Sequence, residues 1–248
     1  MLKLVGCEFK KLRRKRFIKL IIAAACLFPT PLIIAMAKDG QSFIQLFRAV
    51  VMFDDILFLL GIIAIILFSM EQDSDTLKNL LVIPVSKTNI FLTKLTVLFL
   101  LSLIYTLAAY VASLIGGLII GKISDIMFLF SVSIGLGIFV FLATVPVIAI
   151  IIVCNKSKVF SIIIVLIYAV LGFVTVQTIG RGSVLDRLTF ALPICITGKW
   201  YLGIVPVEQA LSYILPYTLS TPVAFGLLAT YGIAFTLLSL FSYKRTEI

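Results

Sequence analysis

The residues able to do acid, base or nucleophilic chemistry are few, and their spacing suits none of the common mechanisms. Asp54 and Asp55 are adjacent carboxylates in an apolar stretch, but neighbours on a helix point about 100° apart, so they cannot face each other as an aspartyl pair must. Histidine is absent. That removes the commonest metal ligand and general base, and with it the clustered His/Glu sites of membrane metalloproteases. Serine chemistry without histidine needs a Ser–Lys pair deep in the membrane, and no lysine reads as deep. Cys7, Cys26, Cys154 and Cys195 show no C-x-x-C spacing and read as small buried hydrophobes rather than as a disulfide or metal set. The nearest approaches to a phosphate-binding G-x-x-x-x-G-K-[ST] run are "IGK" at 120–122 and "TGK" at 197–199. Neither is followed by the Ser or Thr that the motif requires. We therefore expect no catalytic residue, no bound metal and no cofactor held by this chain.

The elements that carry these residues are set by the solvent. The chain is 62% hydrophobic and only 13% charged, against roughly 25% charged in a soluble domain, so the bilayer is the expected solvent. A spanning helix needs about 20 apolar residues, which gives 248 residues room for five to seven spans with short loops. Membrane barrels alternate over segments of about 10 residues; here the apolar runs are long and continuous. We expect an all-α integral membrane fold, a single transmembrane domain over 1–248, with spans at about 17–37, 50–69, 95–120, 128–153, 159–180 and 221–243. Fifteen of the 21 basic residues fall on one side of that arrangement, together with five of the 11 acids. The positive-inside rule makes that side cytoplasmic and places both termini there. The "AMA" at 35–37 resembles a signal-cleavage site, but the apolar run before it exceeds the usual 7–15 residues and five further runs follow. We expect the run to remain as a span.

Several features within this layout suggest local structure. Residues 1–16 place Leu2, Val5, Phe9 and Leu12 at helical spacing among basic residues, the pattern of an amphipathic helix at the inner headgroup layer and drawn to membrane lipids; a plain topology-setting basic tail fits as well. A nucleic-acid partner is not expected. Pro29 and Pro31 in the first span and Pro146 in the fourth free backbone groups that a neighbouring helix or a wet cavity must satisfy. Gly116–Gly117 and Gly135-x-Gly137 suit close helix approach. Asp55 lies 13 residues before Phe68, about 20 Å along a helix, in the outer third of a core about 30 Å thick. Two readings fit the carboxylate pair, snorkelling to the outer interface or lining a wet vestibule. Together with Pro29 and Pro31 it marks a candidate substrate pathway. Residues 181–220 contain "LTFALPICI", too short to span, and "YILPYTLSTP", broken by prolines. We expect an outer re-entrant segment there; the alternative is a seventh span at about 201–219.

The long polar break "EQDSDTLKNLLVIPVSKTNIFLTK", residues 71–94, lies on the cytoplasmic side. Asp75 can cap a helix from Thr76, near the acids Glu71 and Asp73. Leu77, Leu80 and Leu81 share one face, Pro84 ends the turn, and Ser86 can cap a helix running through Lys94 into the third span. This describes a short amphipathic helix, either a greasy loop resting on lipid or a knob for a soluble partner.

The order Glu71, Thr76, Leu80–Leu81, Pro84-Val85-Ser86-Lys87 and Lys94 resembles the signature of ABC-2 type permeases, with Asp75 where glycine is common and Lys87 where arginine is common. The six-span layout, the basic N-terminus and the terminal "FSYKR" are also similar to that family. The resemblance implies the permease subunit of an ATP-driven exporter in a bacterial cytoplasmic membrane. It implies a cytosolic ABC ATPase subunit holding ATP and Mg, and a second permease chain, identical or a sister. Glu71, Asp75, Thr76, Leu77, Leu80, Leu81, Pro84 and Lys87 would then couple the chain to the ATPase, with Lys94 helping to hold the register. The small size is similar to permeases associated with lantibiotic immunity, bacitracin resistance and export of amphipathic peptides. The competing class is a membrane sensor or scaffold that docks a soluble partner without moving substrate.

Overall fold

The computed structural model describes residues 2–14, 29–38, 42–53, 56–73, 86–120, 123–153, 158–180, 192–206 and 209–245. The regular structure among them is helical throughout. In chain order come α1 (Leu2–Arg14), α2 (Pro29–Lys38), α3 (Phe43–Phe53), α4 (Ile56–Asp73), α5 (Lys87–Ile120) and α6 (Ile126–Val153). They are followed by α7 (Lys158–Gln177), α8 (Pro193–Ile204), a 3₁₀ segment (Gln209–Tyr217) and α9 (Thr221–Arg245). Among the described residues four helices, α5, α6, α7 and α9, are long and apolar enough to cross a membrane. These match the last four expected spans closely. The run at 50–69 instead divides between α3 and α4, on either side of Asp54–Asp55, and of the run at 17–37 only 29–38 is described.

The centre of the bundle is α6, which α5, α9, α4, α8 and α7 all touch. Its residues from Ala143 to Ala149 are buried without interruption. A helix apolar on every face has no solvent side; this one is enclosed by its neighbours through its middle, while Met127, Phe128 and Phe130 near its start are exposed. By contrast α7 and α9 leave Ile163, Leu166, Val170, Ile233 and Leu237 exposed. Apolar rows of that extent call for hydrocarbon as the solvent.

Small residues and hydroxyls set the helix approaches. A Cβ on Gly116 would lie 2.6 Å from Leu46 Cδ2 and 2.8 Å from Ile33 Cγ2, and one on Gly117 would lie 2.6 Å from Phe43 Cδ2. The glycine pair is thus the seat on α5 for α2 and α3. Where α5 meets α6, a Cβ on Gly137 would lie 3.2 Å from the Leu103 Cα, and Ser102 Oγ donates to the Gly137 carbonyl at 2.5 Å. Pro146 lies inside α6 without an N–H to offer. Close to that break, the Tyr168 hydroxyl of α7 donates to the Ala143 carbonyl at 3.1 Å, next to the Leu142 carbonyl from which Pro146 withholds a donor.

Two expectations need correction. Residues 43–49 fall between the expected spans at 17–37 and 50–69, where an outer connection is implied, but they form the start of α3. Ser42 and Gln45 make a reciprocal cap, the Ser42 N–H donating to Gln45 Oε1 at 2.7 Å and the Gln45 N–H to Ser42 Oγ at 3.4 Å. Its apolar face (Phe43, Leu46, Phe47, Val50) is then buried on α5 and α2. The alternative seventh span at 201–219 is not one helix, because α8 ends at Ile204 and the 3₁₀ segment begins only at Gln209. Proline at the first turn suits a helix start, and α8 opens on Pro193. It is locked in place by Trp200, whose Nε1 donates to Thr221 Oγ1 of α9 at 3.1 Å while its ring meets Phe139 of α6 edge-on at 4.4 Å.

Candidate coupling site

Three helix ends meet beside the polar break. Ser86 accepts the Asn89 N–H at 3.3 Å through its hydroxyl, so the expected cap is present and α5 starts at Lys87, right after it. Two turns along, Lys94 is fully buried. A buried ammonium is costly unless hydrogen-bonded. This one donates to the Leu67 carbonyl of α4 at 2.6 Å and lies 4.9 Å from the centre of the Phe68 ring, within cation–π range. Phe68 in turn packs 6.1 Å from Phe91 of α5 and 6.1 Å from Tyr243 of α9, and the last two are 5.7 Å apart. The collar therefore joins α4, α5 and α9 at one level. Lys244 and Arg245 occupy the final turn of α9, favourably placed toward its negative end.

The collar has a brace. Val5 and Phe9 of α1 are half-buried against the core and Leu12 is fully within it; α1 packs on α5. Lys11 donates to Glu8 at 2.5 Å, while Lys3, Lys10 and Arg14 remain exposed. The amphipathic pattern read from sequence is thus spent partly on protein, not on lipid alone. Cys7 is exposed on the far side of the same helix, which corrects its reading as a buried hydrophobe. Cys195 fits that reading: it is buried, 2.7 Å from Thr175 Oγ1, and burial pushes its thiol up, away from the reactive thiolate. Cys26 and Cys154 lie outside the described residues.

Of the residues named for coupling, Glu71 falls in the last turn of α4 and Lys87 is the half-buried first residue of α5. Asp75, Thr76, Leu77, Leu80, Leu81 and Pro84 lie outside the described residues, as do Asp54 and Asp55 of the candidate pathway. Pro29 and Pro31 stand in the first turn of α2, with Pro31 exposed. A proline there forfeits no helical hydrogen bond. Phe68, Phe91 and Tyr243 escaped sequence reasoning because no motif links positions so far apart. Lys94 and Lys199 are both buried within the protein, which composition alone did not suggest. Lys94 is held by a carbonyl and a ring and is no free base.

Away from the collar, an open groove of about 420 Å³ runs between Phe99 of α5, Ile138 and Leu142 of α6, and Phe225, Gly232 and Ile233 of α9. Its walls are almost wholly apolar. In another part of the bundle, Phe47 of α3 lies 6.3 Å from Tyr110 of α5 and 6.3 Å from Tyr201 of α8, ring centre to ring centre. Arg48, next to Phe47, is buried, and its charge acts on the Tyr201 phenol against the stronger upward push of burial.

No curated protein matches the chain. The family model described as "ABC-2 family transporter protein" matches residues 4–172, a stretch that runs from α1 into α7 and contains α4, α5 and the polar break between them. With that match covering most of its length, the chain belongs to the ABC-2 family of transporter proteins.

Proposed function

We propose that this chain is the transmembrane permease subunit of an ABC exporter that moves an amphipathic peptide or antibiotic-like substrate out of the cell or the membrane. Membership of the family supports a multi-pass membrane permease component of an ABC transporter. Such permeases are generally non-catalytic and normally work with a cytosolic ATPase. ATP and Mg would be held by that separate subunit. The remainder is our reading: six spans in a bacterial cytoplasmic membrane, both termini cytoplasmic, a re-entrant outer segment at 181–220, and a second permease chain, identical or a sister.

The observation that carries the proposal is the collar. A soluble partner can drive a membrane helix only if the loop it grips is tied to more than one span. Here the helices flanking the polar break are joined to each other by Lys94 and Leu67, and to α9 by Phe68, Phe91 and Tyr243. A push on residues 71–94, gripped at Leu77, Leu80 and Leu81 and ordered by Glu71, Asp75, Thr76, Pro84 and Lys87, would move three helices together. The apolar groove beside α9 supports an amphipathic cargo; Asp54, Asp55, Pro29 and Pro31 would border its pathway.

The test is gentle-detergent purification of the full chain from its host, with mass spectrometry and ATPase assay of what accompanies it. We expect a P-loop ATPase to co-purify with the wild type and to be lost, or its hydrolysis uncoupled from transport, in Leu80→Asp, while insertion is unchanged. An ATPase-free chain would favour the sensor or scaffold class instead, and unaltered transport by Leu80→Asp would refute the coupling role of this segment.

A further inference from the structure

Arg48 is 6% exposed, yet its Nε and Nη2 have no hydrogen-bond partner among the described residues, and the same is true of the Tyr201 hydroxyl. A guanidinium can only donate, and leaving it buried without an acceptor is strongly unfavourable. Neither described acid with a placed side chain answers it: Glu8 is bonded to Lys11, and Asp125 is exposed. Nε and Nη2 form one edge of the guanidinium fork, the edge that takes two oxygens side by side. The Tyr201 phenol comes from a different helix, close enough to feel the Arg48 charge. The ring of Phe47, the residue before Arg48, lies 6.3 Å from the Tyr201 ring, so α3 and α8 meet at this point.

We propose that Arg48 and Tyr201 form a binding site for the phosphate-type oxyanion of an amphiphile, the fork taking two oxygens and the phenol a third. Three donors arriving from two helices suit a group with three non-bridging oxygens better than a carboxylate with two. The surrounding apolar helices suit a ligand that carries its own hydrocarbon. The proposal rests on the permease reading in treating this amphiphile as cargo. Its test needs neither ATP nor the ATPase, so a failure here leaves the coupling reading standing, and the reverse holds too.

The chain contains one tryptophan, Trp200, immediately before Tyr201, and its emission can report the site. The full chain in neutral detergent is titrated with dioctanoyl phosphatidic acid, with dioctanoylglycerol and with inorganic phosphate. We expect a saturable change with the phosphatidic acid alone. Its half-saturation should rise at least about tenfold in Arg48→Gln, corresponding to loss of one charged interaction, less in Arg48→Lys and in Tyr201→Phe, and not at all in Lys10→Gln on the exposed face of α1. Arg48→Lys keeps a cation in place should Arg48→Gln fold poorly. An identical titration of Arg48→Gln would overturn the site. A response to inorganic phosphate alone would overturn its assignment to an amphiphile. The carboxylates of Asp54 and Asp55 are the internal alternative. If Asp54→Asn/Asp55→Asn lowers the unfolding midpoint of the wild type but not of Arg48→Gln, the counter-charge lies within the chain and the proposal fails.

Discussion

Replacing Lys94 with methionine isolates the contact on which the coupling proposal depends. The ammonium makes a hydrogen bond from a charged donor, worth about 1.5–3 kcal/mol, to the Leu67 carbonyl. It also makes a cation–π contact with Phe68, worth about 1–2 kcal/mol when desolvated. Against these stands the cost of holding an ammonium fully out of water, several kcal/mol, which methionine avoids while filling similar space. The two sides nearly cancel. We expect the unfolding midpoint of Lys94→Met to change little, within roughly 1–2 kcal/mol, equivalent to about 2–8 °C for a chain of this size. The contact itself emerges in a double-mutant cycle with Phe68→Leu, read by thermal unfolding in detergent. The two changes should be coupled by about 1 kcal/mol or more, because Phe68→Leu costs less once the cation is gone. Additivity within about 0.5 kcal/mol would refute the assigned geometry. The functional arm is separate: substrate-stimulated hydrolysis by the partner ATPase should fall in Lys94→Met despite near-normal stability. Full stimulation in a variant that does show the coupling would make the tie structural only.

Two further outcomes follow from the packing. Gly137→Ala places a methyl 2.8 Å from Leu103 Cδ2 and Thr106 Oγ1 and 3.2 Å from a backbone carbon, over-packing that costs about 1–3 kcal/mol. At Gly226 nothing lies within 4 Å, so Gly226→Ala should be neutral or stabilise by up to about 1 kcal/mol through helix propensity. Equal midpoints for the two variants would refute the close α5–α6 approach. Ser42→Ala removes one half of the reciprocal cap on α3, worth about 0.5–2 kcal/mol. Hydrogen exchange over 43–53 should accelerate while α6 stays protected, and an unchanged rate would show that burial alone holds α3.

What the sequence disclosed and what it hid follow from the range of each interaction. The spans α5, α6, α7 and α9 were legible because a run of about 20 apolar residues states its own solvent. The start of α5 was legible too, although Thr88, Asn89, Thr93 and Lys94 resemble a loop by composition, because Ser86 three residues before Asn89 is a local capping signal. The corresponding signal at α3, Ser42 three residues before Gln45, was equally local and was missed because the hydropathy run at 50–69 drew the boundary across the helix. Nothing near Arg48 in sequence reports that Tyr201, 153 positions on, comes close enough to feel its charge. The collar shows the same limit. Lys94 was picked out by family pattern, but its partner is a carbonyl, which has no sequence identity to read, and its aromatic neighbours come from positions 68, 91 and 243. Motifs can name a residue that must be held. Which carbonyl and which rings hold it is decided only when α6 brings the other helices around itself.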